Sequence, residues 1–381
     1  MALPRSKYVQ EGQEGVYHCF SRCVRRAFLY GSDPLTGRDF SHRKAWLVER
    51  LRHLAAVFAI EVCAYAILAN HYHLLLRTRP DIVALWSDPE VARRWLTLFP
   101  RHHDPAGTPL PPTEQEICAL ADCPERIAEL RRRLSSLSWF MGRLNEFIAR
   151  AANKEDAVKG RFWESRFKCQ VLLDDAAVAA CMVYVDLNPI RAGLAGTPEE
   201  SDFTSIQERI RAWQKETMTE APAPTGAAQD VPSDSFASDV SRLENAGDVS
   251  DPVPERISVR NPLDGADTST SWLCPIQSDS RRRGILPMTT EEYLDLVDRS
   301  GRMLRSGKRG AISADLAPIL VRIGANPDAW FETISCFGSR FRLAAGLLSS
   351  LRRFSDQLGR HWFIGVAAAR TAFLQALPLS A

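Results

Sequence analysis

Two histidines separated by a single residue, His71 and His73, interrupt an apolar run over residues 66–76. Branched and aromatic residues in that run predict a β-strand, in which side chains two apart share a face. The two imidazoles would stand side by side, roughly 6.5 to 7 Å apart along the strand, with Tyr72 turned the other way. Imidazoles so placed make half a site for a divalent first-row ion, and the half-site calls for a further ligand. The plainer reading is a strand that tolerates two partly exposed histidines. Far along the chain, Tyr184 and Asn188 lie four residues apart in a stretch that reads as helix. Residues at that spacing share a helical face one turn apart. Beside the histidine strand, the tyrosine would supply a nucleophile and the carboxamide a third ligand. Each also has a plain structural reading, as an amphipathic residue with its hydroxyl at the surface and as a helix-end residue before a turn.

The elements that must position these groups are legible in outline. Residues 15–23 read as a first strand, followed by a basic turn holding Arg22, Arg25 and Arg26. Ser41 is placed to cap a helix over 42–58, with Trp46, Leu47, Leu51, Leu54 and Phe58 on one stripe. A second strand begins near Glu61 and either continues through the histidines with a bulge or turns at Asn70. Strand, helix, then one or two adjacent strands opens an α+β sandwich with helices on one face of the sheet. Asp174 or Asp175 caps the helix of Tyr184, and Pro189 is expected to end it at Asn188.

Further stretches offer contacts to a polyanion. Arg77 and Arg79 follow the histidines at the strand end, where they could grip phosphate or merely cap the strand with charge. The segment Lys159-Gly160-Arg161-Phe162-Trp163-Glu164-Ser165-Arg166-Phe167-Lys168 interleaves cations with aromatics. Such a segment could hold phosphates and stack bases, or form an edge strand with a charged outer face.

Hydrophobic content of 45% and charged content of 25% are those of an ordinary globular protein. Nine cysteines with no C-x-x-C pair argue for reduced thiols over a zinc ribbon or a disulfide framework. No run of 18 or more uncharged apolar residues occurs and the start lacks an apolar signal core, so a cytoplasmic location and no membrane partner are expected. A G-x-x-x-x-G-K-[ST] loop is absent, so no nucleotide cofactor is expected. The net charge of +2 hides an asymmetry: residues 217–280 carry 3 basic against 11 acidic side chains, and 281–381 carry 15 against 8. The acidic stretch, rich in Pro, Ala and Ser, reads as a disordered linker over 216–280. The basic remainder, 281–381, reads as a small all-helical domain suited to binding DNA or a protein partner.

The motifs His71-Tyr72-His73, residues 160–168, and Tyr184-Val185-Asp186-Leu187-Asn188-Pro189-Ile190-Arg191-Ala192-Gly193 together resemble the single-tyrosine HUH transposases of bacterial insertion sequences, within them the REP-associated tyrosine transposases. The likeness covers roughly residues 10–215, with an insert at about 80–135 that is longer than a minimal core needs. The resemblance implies a ferredoxin-like antiparallel α+β core and one Mg²⁺ or Mn²⁺ ion. It also implies cleavage of single-stranded DNA, at a hairpin or repeat, to a 5′-phosphotyrosine and a free 3′-hydroxyl. Carried over residue by residue, His71, His73 and Asn188 are the metal ligands and Tyr184 is the nucleophile. Arg22, Arg77, Arg161, Trp163, Arg166 and Lys168 are expected to contact DNA, and Glu164 to support the chemistry as a base or at the metal. A relaxase or rolling-circle initiator shares this logic. A regulator that binds nucleic acid without cutting it is the reading from another class. Monomer and homodimer both remain open.

Overall fold

The computed structural model describes residues 3–24, 28, 29, 31–33, 35–220, 272–280, 282–306, 317–360 and 364–374. Arg25 and Arg26 of the expected basic turn lie outside them, as do residues 221–271 of the expected linker.

The first strand, β1 (Gly15–Arg22), leads to α1 (Arg43–Val57), which starts after His42 with no side-chain cap, so Ser41 does not take the expected role. Next come β2 (Ile60–Ile67) and β3 (His71–Thr78), two strands joined by a tight turn in which the Leu68 N–H donates to the His71 carbonyl. The turn at Asn70 is thus present, and a bulge between Val62 and Ala64 is present as well. The insert folds into α2 (Pro80–Leu85), α3 (Asp88–Leu98), α4 (Glu114–Ala121) and α5 (Pro124–Leu134). Thr113 and Glu116 close a reciprocal capping box on α4, satisfying two otherwise orphaned N–H groups. The long α6 (Leu137–Glu155) follows, tied to the start of α1 by the buried Arg43, which donates to Glu155 and Asp156 at 2.6 Å each.

After β4 (Lys168–Leu172), α7 (Asp175–Asp186) is capped by the Asp174 carboxylate, which accepts from the Ala177 N–H. The helix ends at Asp186, two residues before the expected Asn188, and Pro189 falls just beyond it. That proline sits in the first turn of α8 (Asn188–Arg191), where a missing N–H costs nothing. Then come α9 (Ser205–Glu220), α10 (Thr290–Ser306), α11 (Ala317–Arg322), α12 (Trp330–Arg340), β5 (Ala344–Ala345), α13 (Leu348–Gln357) and α14 (Val366–Ala372).

The sheet order is β2-β3-β1-β4-β5, antiparallel except for β5, which pairs parallel to β4. The sheet is therefore mixed. Its fifth strand comes from the segment expected to be a separate helical domain. β5 and α12 are parts of the same core, because the Val171 N–H donates to Leu343 and the Leu173 N–H to Ala345. Helices also cover both faces rather than one. Alternation and register put His18, Phe20, His71 and His73 on one face, against α7. Tyr72 points to the other, where its hydroxyl donates to Asn145 of α6.

The outer edge of β2 is closed by two segments. The Cys274 N–H donates to the Val62 carbonyl, Arg209 donates to the carbonyls of Cys63 and Cys274, and the Tyr65 N–H donates to Ser205. An open strand edge invites pairing with another chain, and these contacts remove that hazard. Residues 272–276 thus belong to the core and not to a linker: Leu273, Cys274 and Ile276 are buried. Among the described residues, no helix is long and apolar enough to cross a membrane.

Candidate active site

The site forms where β3, β1, β4 and α7 converge. On β3, His71 is half-buried and His73 is buried, with ring centroids 5.1 Å apart and planes nearly perpendicular. Strand alternation alone brings them together, as expected. Across the strand pair, Arg22 faces His71 and Phe20 faces His73, while Lys168 faces Phe20 from β4.

Tyr184 on α7 stands over this face. Its ring lies edge-on to His73, at a centroid distance of 5.7 Å, and edge-on to His18 at 5.9 Å. Asn188, at the start of α8, is buried at 8% exposure, and its Nδ2 has no hydrogen-bond partner. A buried amide nitrogen without a partner is uncommon and asks for an explanation.

The imidazoles are held as neutral donors. Burial, with the Arg22 cation adding to it, pushes His71 down to about 4. Burial also pushes His73 well below the usual histidine range, helped by His18, His71, Arg191 and Arg22. His71 Nδ1 lies 2.8 Å from Asn70 Oδ1, an atom that can only accept, so the Nε2 lone pair of His71 is left free. His73 Nδ1 is likewise engaged, 2.9 Å from His18 Nε2. Among the described residues, no group of three or more His, Cys, Asp or Glu side chains is arranged to hold a metal ion. An ion here would take two imidazole nitrogens and an oxygen of another kind. The Asn188 side chain carries such an oxygen, and a set of two imidazole nitrogens and an amide oxygen suits a divalent ion.

Some expected residues are elsewhere. Arg77 is buried at 2% exposure, ion-paired to Glu61, and donates to the carbonyls of Arg283 and Gly284. It is a structural cation, not a DNA contact, because Cys274, Arg283 and Gly284 pack over the strand end where it was expected to meet solvent. Trp163 is half-buried, its indole N–H donated to the Asn145 carbonyl and its ring edge-on to Tyr72 and Phe162. Its ring therefore packs the core. Arg22, Arg161, Glu164, Arg166 and Lys168 are exposed. The Glu164 N–H donates to the Arg22 carbonyl, which sets Glu164 at the rim beside Arg22.

Two residues at the site went unrecognised in the sequence. His18, buried at 1%, contacts His73 and, through Nδ1 at 3.2 Å, Gln170 Oε1. Arg191 lies with its guanidinium carbon 5.0 Å from the Tyr184 ring centroid and donates to the Ser335 carbonyl. For His18, the available signal was a histidine at an inward position of a strand. For Arg191, it was a cation one turn beyond Asn188.

No family model matches the chain, and no curated protein matches it. Among solved structures, a REP-associated tyrosine transposase bound to a REP hairpin aligns with 63% of this chain and 99% of its own, at 13% identity and a TM-score of 0.32. Likeness that distant assigns no function, so the functional reading has to come from the site itself.

Proposed function

We propose that the chain is a metal-dependent nuclease and strand transferase acting on single-stranded DNA through Tyr184. The reading is carried by the placement of a tyrosine edge-on to His73, four residues before a buried asparagine, over a strand face bearing two neutral imidazoles. A divalent ion, Mg²⁺ or Mn²⁺, held by His71, His73 and Asn188 would supply Lewis-acid polarisation of the scissile phosphate.

The protein's own groups do the rest. The Tyr184 oxygen attacks phosphorus and gives up its proton. As the oxygen–phosphorus bond forms, the bond to the 3′-oxygen breaks and that oxygen takes up a proton. The phosphotyrosine keeps the energy of the cleaved bond, so a 3′-hydroxyl can reverse the step and rejoin strands without a nucleotide cofactor. Arg22, Lys168 and Arg191 surround the site with positive charge suited to the phosphate backbone.

Purified protein mixed with end-labelled single-stranded hairpin oligonucleotides tests this reading on a denaturing gel. A Mn²⁺-dependent protein band carrying the DNA 3′ of the cut is expected, absent in Tyr184→Phe and weakened in His71→Ala. DNA binding without any labelled protein under Mg²⁺ or Mn²⁺ would sink it. A regulator that binds nucleic acid without cutting would then stand, and one observation favours that reading: α12 packs against the Tyr184 hydroxyl.

A further inference from the structure

We infer that His18 and Gln170 form a positioning relay that holds His73 with its proton on Nδ1, leaving Nε2 as the lone-pair donor. The geometry stands whatever His73 does. Only the consequence for metal binding rests on the function proposed above.

The three side chains form one buried line across three strands: Gln170 on β4, His18 on β1 and His73 on β3, exposed at 2%, 1% and 5%. Gln170 Oε1 lies 3.2 Å from His18 Nδ1, and His18 Nε2 lies 2.9 Å from His73 Nδ1. A carbonyl oxygen only accepts, so His18 carries its proton on Nδ1. A neutral imidazole has one N–H, so His18 Nε2 accepts, and the proton between the two rings belongs to His73 Nδ1. His73 Nε2 is then bare. Each assignment forces the next.

The neighbouring histidine reaches the same state by a separate route, since Asn70 Oδ1 takes the His71 Nδ1 proton at 2.8 Å. Two independent partners therefore expose the same nitrogen on both rings. An acceptor behind a ligating imidazole fixes its tautomer and raises its basicity, and losing such a partner typically weakens metal binding by about 10- to 100-fold. The Gln170 Nε2 is left buried with no partner. Reversing that amide would satisfy it and would also reverse the whole chain of protons, placing a hydrogen on His73 Nε2. The Gln170 orientation, with Oε1 toward His18, thus decides which nitrogen of His73 is protonated.

The test uses full-length protein labelled with ¹⁵N at histidine, read by long-range proton–nitrogen correlation spectra, with Mn²⁺ alone as the probe of binding. His73 is expected as the Nδ1–H tautomer before any metal is added. His18→Phe, which removes the acceptor, should scramble that tautomer and weaken Mn²⁺ binding about tenfold or more. His18→Gln, whose side-chain oxygen can still accept, should restore both to within about threefold of the unaltered protein. Gln170→Met keeps both rings and serves should His18→Phe not fold; it should release the His18 tautomer and, with it, that of His73. A proton on His73 Nε2 in the unaltered protein, or an Nδ1–H tautomer and Mn²⁺ affinity unchanged in both His18→Phe and Gln170→Met, would overturn the relay. An Nδ1–H tautomer without any Mn²⁺ binding would uphold the relay and overturn the metal reading.

Discussion

The hydroxyl of Tyr184 lies against Gly338 of α12, so close that a Cβ at position 338 would stand 2.7 Å from the Tyr184 oxygen. Glycine is required there by close approach and not by an unusual backbone angle. Gly338→Ala must therefore push the ring or α12 aside, whereas Gly338→Ala combined with Tyr184→Phe removes the nearest atom and leaves Cζ at 3.2 Å. A double-mutant cycle by denaturant unfolding is expected to show a coupling of about 0.5 to 2 kcal/mol, the double variant being more stable than additivity predicts. Additive effects would mean that the two groups do not meet in solution.

Arg77 should matter for stability and not for DNA. Its side chain is 3% exposed and paired with Glu61, so truncation strands a partly buried carboxylate. Arg77→Ala is expected to cost roughly 3 kcal/mol, the low end for a broken buried pair, since Arg79 still contacts Glu61 at 3.1 Å. The denaturation midpoint should fall while the salt dependence of DNA binding in the folded protein stays the same. A normal midpoint with weakened DNA binding would return Arg77 to the interface.

Arg161, Arg166 and Lys168 are exposed on one stretch and should behave oppositely. Removing each is expected to lower the slope of log affinity against log salt by about 0.7 for single-stranded DNA, with little change in folding stability. Unchanged slopes in the triple alanine variant would place the DNA elsewhere.

Asp186 is buried between Ser205 and Tyr293, both of which donate to it at 2.5 Å. Burial pushes its carboxyl up to about 6, with the two hydroxyls pulling the other way. A raised carboxyl binds its proton more tightly folded than unfolded, so its contribution to stability is complete below about pH 4 and lost as pH rises through about 6. Between those limits the loss is roughly 2 to 3 kcal/mol. Asp186→Asn should flatten this part of the stability profile in urea titrations from pH 4 to 7. An equally steep decline in the variant would assign it to another group. Tyr293→Phe should destabilise by about 1 to 3 kcal/mol, because it takes a donor from a buried carboxylate.

What the sequence by itself determined is local. The period of a strand put His71 and His73 on one face, because it follows from backbone geometry within a few residues. The Asp174 cap was legible for the same reason. Pro189 marked the end of one helix but not the start of the next, whose first turn it also suits. Only the tertiary structure decided which strands are neighbours. Register between β1, β3 and β4 places His18 between His73 and Gln170, residues 55 and 152 positions away along the chain. The same long-range pairing buried Arg77 under Cys274, Arg283 and Gly284, drew β5 into the sheet and set Gly338 against Tyr184. Such contacts depend on side chains that meet only after the core has closed, and no periodicity in one stretch records its partner in another.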